Sequence, residues 1–288
     1  MNSTKLTNNL NEKAMLVSLK ISAWSGRTKD RQVSSQVLND KGADSDAGAW
    51  WTYLLPKETT KQLNKAANKC RTTLNRYTLP WMDNGLRILP SAMFLTFRKE
   101  MATTLSEYET IVAKFVANYP TIKAEAERRL GKLASTKRIP EVWEIQDKFA
   151  AKTTILPIPE TSDFRIALSD VDISEIRKEM ETDLNNMVGK AMENLWYQLI
   201  EMIKKIQTTT AKPNKIFRDS MISNLKDFCE MIPKLNITDD PKLEEARKEA
   251  LKELATLSPT DLRESKTDRK AANKAASDML DRIGSYNL

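Results

Sequence analysis

Residues 172–207 read DISEIRKEMETDLNNMVGKAMENLWYQLIEMIKKIQ. Within them Ile173, Ile176, Met180, Leu184, Met187, Ala191, Leu195, Leu199, Met202 and Ile206 recur at steps of three or four. At about 100° per residue such steps share one face, so the stretch predicts one long helix with a single apolar stripe. A stripe of this length predicts the spine of a bundle or a coiled-coil-like arm, and an arm left uncovered would support self-association. Met180, Met187, Met192 and Met202 would make such a surface adaptable.

The rest of the chain fits a mostly helical architecture. Only 7 Gly and 11 Pro occur in 288 residues, too few turn formers for a strand-rich sandwich. The spacing predicts helices over Lys57–Tyr77, over Ser91–Tyr119 (stopped by Pro120), over Thr121–Ala134 and over Pro140–Lys152. Further helices are expected over Phe217–Ile232, Asp240–Leu257 and Ser258–Ile283. The last has Ser258 as N-cap, Pro259 at the first helical position and Gly284 as its stop. Its Ala-rich middle, Arg269–Ala276, reads as a weakly buried helix.

Short strands are expected near 15–24, 86–89 and 164–168, together a small accessory sheet. Gly26–Gly48 is polar and rich in Ser, Asp and Lys, and its run Gly42–Gly48 reads as a mobile loop. The division that follows has a flexible terminus at 1–14, a basic region at 15–140, a helix and Pro-containing crossover at 141–163, and a helical region at 164–288.

Residues 1–14 are polar and lack the apolar core of a secretory signal, and no apolar run is long enough to span a bilayer. A cytoplasmic protein without membrane attachment is the expectation. The chemistry is bounded as sharply. There is no histidine, which removes Ser-His-Asp and Cys-His catalysis and His-ligated zinc. Cys70 and Cys229 are too few for a disulfide framework or a structural zinc site and read as small buried hydrophobes.

No phosphate-binding Gly-rich loop and no G-x-S-x-G occur. Ser223 and Lys226 form an isolated S-x-x-K on an amphipathic helix, and Glu264-Ser265-Lys266 is an E-x-K inside a helix rather than on a strand. Asp44/Asp46 and Asp170/Asp172 do not continue into a calcium-loop pattern. The reading is of a protein that is not an enzyme and takes no cofactor or metal.

Charge supplies the positive signal. Residues 1–150 hold 24 Lys and Arg against 15 Asp and Glu, whereas 151–288 hold 22 against 24. Between Lys57 and Lys99 nine bases face two acids, Glu58 and Asp83. On the 57–77 helix Lys61, Lys65, Lys69 and Arg76 lie opposite the apolar face; Arg27 lies upstream, and Trp50, Trp51 and Tyr53 flank the helix. Lysines on one face can displace counterions from phosphates, and nearby rings can stack on unpaired bases. The same face could meet an acidic protein surface, or simply be solvated.

The run Leu16–Arg27 (LVSLKISAWSGR), continued by Thr28-Lys29-Asp30-Arg31, resembles the start of a family of phage and mobile-element proteins whose shared domain has no assigned function. The basic helix Lys61–Tyr77, the segment Leu86-Arg87-Ile88-Leu89-Pro90 and the long helix toward Tyr119-Pro120 are similar too, so the likeness covers roughly residues 15–140. It implies a phage or mobile-element setting, often beside a MoxR-type AAA+ ATPase and a metal-chelatase-like or von Willebrand A-type protein. It implies no active site, and Trp24, Gly26 and Arg27 carry over only as motif positions. The expectation is a non-catalytic adaptor or assembly subunit, with an AAA+ ATPase or a second copy as protein partner. The alternative is a nucleic-acid-binding protein that uses the basic first half.

Overall fold

The computed structural model describes residues 10–82, 85–159, 170–212 and 216–286. The chain starts with α1 (Leu10–Lys13), β1 (Ala14–Ser22), β2 (Arg27–Asp30), α2 (Arg31–Asp40), β3 (Trp50–Tyr53) and α3 (Lys57–Tyr77). Next come β4 (Leu79–Pro80), β5 (Arg87–Pro90), α4 (Phe94–Leu130), α5 (Val142–Ile145) and β6 (Ala150–Leu156). The remainder is helical: α6 (Asp170–Thr210), α7 (Ser220–Leu235), α8 (Pro241–Glu253), α9 (Asp261–Glu264) and α10 (Lys266–Gly284). The protein is 68% helical, with one sheet in the order β4–β5–β1–β6 and a separate ribbon of β2 and β3. Mostly α with a small sheet is therefore the fold class.

The expected strands near 15–24 and 86–89 exist and pair antiparallel, Ala14 with Pro90 through Val17 with Arg87. The strand expected at 164–168 lies outside the described residues. The other neighbour of β1 is β6, in a stretch that sequence periodicity assigns to a helix end and a linker. Its β-branched Thr153, Thr154 and Ile155 favour the pleated conformation once an open strand edge is available. The expected helix over 140–152 is correspondingly reduced to the single turn of α5 and a short 3-10 turn at Gln146–Lys148. Leu10, assigned to a flexible terminus, is buried in α1.

The chain divides into two compact units, one made of Met1–Ser18, Tyr77–Leu95 and Ile155–Leu288, the other of Leu19–Arg76 and Thr96–Thr154. In the first, α6 packs most extensively against α10 and next against α7, and α7 packs against α8. From Val188 onward this side of α6 is mostly core: Val188, Ala191, Leu195, Leu199, Ile203 and Ile206 are buried, while Met202 of the expected stripe is half-buried. Ile176, Met180, Leu184 and Met187 are half-buried, and Ile173 lies outside the described side chains.

The Ala-rich middle of α10 is not weakly buried. Ala272 and Ala276 are sealed, small side chains that let two helix axes approach closely. Arg269 donates to the carbonyls of Thr209 (2.8 Å) and Lys212 (2.6 Å), and Asn273 to that of Gln207 (2.7 Å). These side chains satisfy carbonyls that the end of α6 leaves without helical partners. The helix expected from Ser258 breaks at Ser265, whose hydroxyl accepts from the Asp268 amide (3.2 Å) and starts α10 afresh.

In the second unit α4 runs through Pro120, where the sequence predicts a stop. Proline in a helix interior removes one hydrogen bond and costs about 3 kcal/mol. The apolar stripe continues across it: Phe115, Tyr119, Ala126 and Leu130 are buried with Leu54, Leu55, Leu63, Ile145 and Phe149. At about 1.5–3 kcal/mol per large buried side chain, that continuity outweighs the proline. Phe115 packs on Phe149 (5.4 Å between centroids), and the Tyr119 hydroxyl donates to the Pro140 carbonyl (2.9 Å).

Candidate functional site: a basic cleft beside a tryptophan ribbon

The site begins at a turn. Trp24 packs its ring edgewise on Tyr119 (6.2 Å), which fixes the chain as it leaves β1. Gly26 follows with φ +64°, a conformation that L side chains rarely adopt. Its carbonyl accepts from the amides of Leu54 (2.8 Å) and Leu55 (3.2 Å), tying the turn to the segment after β3. A Cβ at this position would lie 3.3 Å from Leu55 Cβ and 3.3 Å from Thr60 Cγ2. The motif residues thus acquire roles: Trp24 anchors, Gly26 turns, and Arg27 opens the ribbon.

The ribbon pairs Arg27 with Tyr53, Thr28 with Thr52, Lys29 with Trp51 and Asp30 with Trp50. Alternation puts Arg27, Lys29, Trp51 and Tyr53 on one face and Thr28, Asp30, Trp50 and Thr52 on the other. The polar stretch between Gly26 and Gly42, for which the sequence predicts no element, holds β2 and α2, while Gly42–Gly48 carries neither helix nor strand; the lock is Asp30. This buried carboxylate pairs with Lys137 (2.7 Å) and accepts from the Val33 amide (3.1 Å), capping α2, and from the Thr52 hydroxyl (3.2 Å). Ser34 donates to the Asp30 carbonyl (2.5 Å) and accepts from the Trp50 amide (2.8 Å). The hydrogen bond from Lys137, reinforced by that of the Val33 amide, holds the Asp30 carboxyl below its ordinary value, against burial, which acts the other way. Arg129 donates to the Tyr53 carbonyl and secures the far strand.

The face of Arg27 and Tyr53 looks onto α3. On it Trp51 and Tyr53 are 44% and 41% exposed, and Trp50, on the opposite face, is 53% exposed, far from the buried position usual for such rings. The Arg27 guanidinium lies 4.9 Å from the Trp51 ring centre, and the Lys57 ammonium lies 5.1 Å from that of Tyr53. Between ribbon and α3 opens a cleft of about 840 Å³, lined by Arg27, Tyr53, Lys57, Lys61 and Lys65 together with Asn64 and Asn68. Its one acid, Glu58, pairs with Lys61 (3.1 Å), and both groups are largely exposed, so the tie is weak. Lys65 has no ion-pair partner among the described residues.

The four basic positions predicted as one face of α3 are divided. Lys61 and Lys65 belong to the cleft with Arg27 and Tyr53. Lys69 and Arg76 line a separate hollow of about 400 Å³ with Lys99, Thr72, Thr73 and Thr103. There Lys69 is paired with Glu107 at 2.5 Å. The apolar side of α3 is as expected, with Leu63, Ala66, Ala67, Cys70, Leu74 and Tyr77 buried. Sequence reasoning missed Asp30 and Lys137, although an Asp immediately before a helical run is an N-cap signal that could have exposed the first.

Both cysteines are buried and free, and burial pushes the Cys70 thiol up and that of Cys229 up to about 12. Among the described residues no group of three or more Cys, Asp or Glu side chains is placed to hold a metal ion. No helix among them is long and apolar enough to cross a membrane. The chain matches no protein-family model, no curated protein and no solved structure.

Proposed function

We propose that this chain is a non-catalytic, cytoplasmic interaction subunit of a phage or mobile-element machine, and that its working surface is the basic cleft between the β2–β3 ribbon and α3. The observation that carries this is the convergence of Arg27, Lys57, Lys61 and Lys65 on one cleft with a single, already paired acid. Successive lysines one helical turn apart stand about 6 Å from each other, inside the screening length of about 8 Å at physiological salt, so their potentials add. A polyanion is the ligand that such a surface attracts.

The absence of histidine and the raised pKa of both buried thiols support a binding role over nucleophilic or acid–base chemistry. The phage setting, with an AAA+ ATPase as proposed protein partner, is supported by the resemblance over residues 15–140. Self-association through the helical arm keeps support from Ile176, Met180, Leu184 and Met187, since the stripe beyond them is mostly core.

Retention on a sulfated-polysaccharide column tests the surface. The K57E/K61E/K65E variant should elute at clearly lower salt than K178E/K190E/K205E, which carries the same charge change on α6. Equal elution of the two variants would show that net charge alone governs retention and would sink the proposal.

A further inference from the structure

We propose that the occupant of this cleft is single-stranded nucleic acid, with bases stacked on Trp51 and Tyr53 and phosphates following Lys57, Lys61 and Lys65. The inference rests on the polyanion reading above and narrows it to one ligand class.

Three observations separate a single strand from other polyanions. First, Trp51 and Tyr53 share one face of the ribbon two residues apart, both exposed. That places them about 6.7 Å from each other along the strand. The distance is roughly twice the ~3.4 Å rise per base of a stacked strand, so a stretched strand offers each ring its own base. A duplex keeps its base faces buried against one another and would leave both rings unused. Stacking on any base is sequence-tolerant because every base has a flat π face.

Second, each ring is already associated with a cation, Arg27 at Trp51 and Lys57 at Tyr53. Neither cation has an acid within ion-pair distance among the described residues. A cation–π contact at an exposed site is a weak tie, readily exchanged for a phosphate oxygen. Base and phosphate are joined in every nucleotide, and ring and cation are joined at both places here. A peptide of acidic residues alone has carboxylates for Lys61 and Lys65 but no ring to stack on Trp51 and Tyr53.

Third, Asn64 and Asn68 line the same cleft. The Asn64 amide offers a donor and an acceptor, and Asn68, whose oxygen already accepts from Arg71 (2.9 Å), keeps its NH2 to donate; such groups complement base edges and are not needed by a purely anionic ligand.

The test uses the full chain and fluorescence anisotropy with four labelled probes. These are deoxyribo- and ribo-oligonucleotides of about 12 nucleotides, a duplex of equal length, and a polyglutamate peptide. Single strands should bind at least about tenfold more tightly than duplex or peptide, and the ratio of the two strands reads which sugar the cleft accepts. W51L/Y53L should weaken single-strand binding roughly fivefold or more per ring without changing its salt dependence, whereas W51F/Y53F should retain most of it. K57A/K61A/K65A should reduce the slope of log K against log salt by about 2.

Duplex binding as tight as single-strand binding overturns the proposal. So does a folded W51L/Y53L variant that binds as the wild type does. Should that variant lose its circular-dichroism signal, the wild-type preference among the four probes decides alone. Tighter binding of the peptide overturns the single strand and leaves the polyanion surface standing; binding of none of the probes removes both.

Discussion

At the scale of single residues, the cleft depends on groups that never face a ligand. Asp30 is the clearest. Its carboxylate joins Lys137, Thr52 and the start of α2 behind the ribbon, and its pKa is lowered from 3.8. A depressed carboxyl stabilises the folded state fully above its unfolded value; the contribution is lost as pH falls through the lower folded value. The melting temperature of D30N should therefore lie well below that of the wild type at pH 7, and the gap should close as pH drops below 3.8. A gap that stays constant down to pH 2 would mean that the ionised carboxylate does not hold the ribbon. Nothing local in the sequence announces the Asp30–Lys137 pair, because the partners are far apart in the chain and each looks like an ordinary surface charge. Gly26 was legible only as a motif position; its positive φ and the Leu55 and Thr60 atoms against it supply the reason for a glycine there.

At the scale of elements, the long periodic helices were legible and the short strands were not. α3 shows its buried face over its whole length, so the lysines opposite could be placed from spacing alone. What spacing could not show is that Lys61 and Lys65 look onto a ribbon while Lys69 meets Glu107. The ribbon itself was invisible because Trp50-Trp51-Thr52-Tyr53 does not alternate and Arg27-Thr28-Lys29-Asp30 is polar throughout. Pro120 misled for the opposite reason, since a strong local rule was overridden by an apolar stripe that resumes beyond it. The stripe of α6 was read correctly as apolar, and its covering partner turned out to be the Ala-rich face of α10. A276L tests that contact: overfilling a sealed helix–helix seam should cost about 1–3 kcal/mol in denaturant unfolding. Unchanged stability would mean that the seam is open and that the second half of α6 remains available to another chain.

At the scale of the whole molecule, the uneven charge recorded by the sequence takes a definite form. Part of the excess of Lys and Arg in the first half, Arg27, Lys57, Lys61 and Lys65, lines the cleft where the ribbon and α3 meet, beside the exposed Trp51 and Tyr53, while the helical second half is nearly balanced. Composition therefore pointed to the half that holds the proposed surface, and the pairing of two short polar and aromatic segments, which no composition reveals, forms the cleft itself. The most direct measurement of that claim is amine acylation of the full chain, read residue by residue by mass spectrometry, with and without saturating single-stranded oligonucleotide. Lys57, Lys61 and Lys65 should lose most of their reactivity when the strand is bound, with Lys178, Lys190 and Lys205 unchanged. Protection spread evenly over both groups, or confined to the second, would contradict the assignment of the cleft as the working surface.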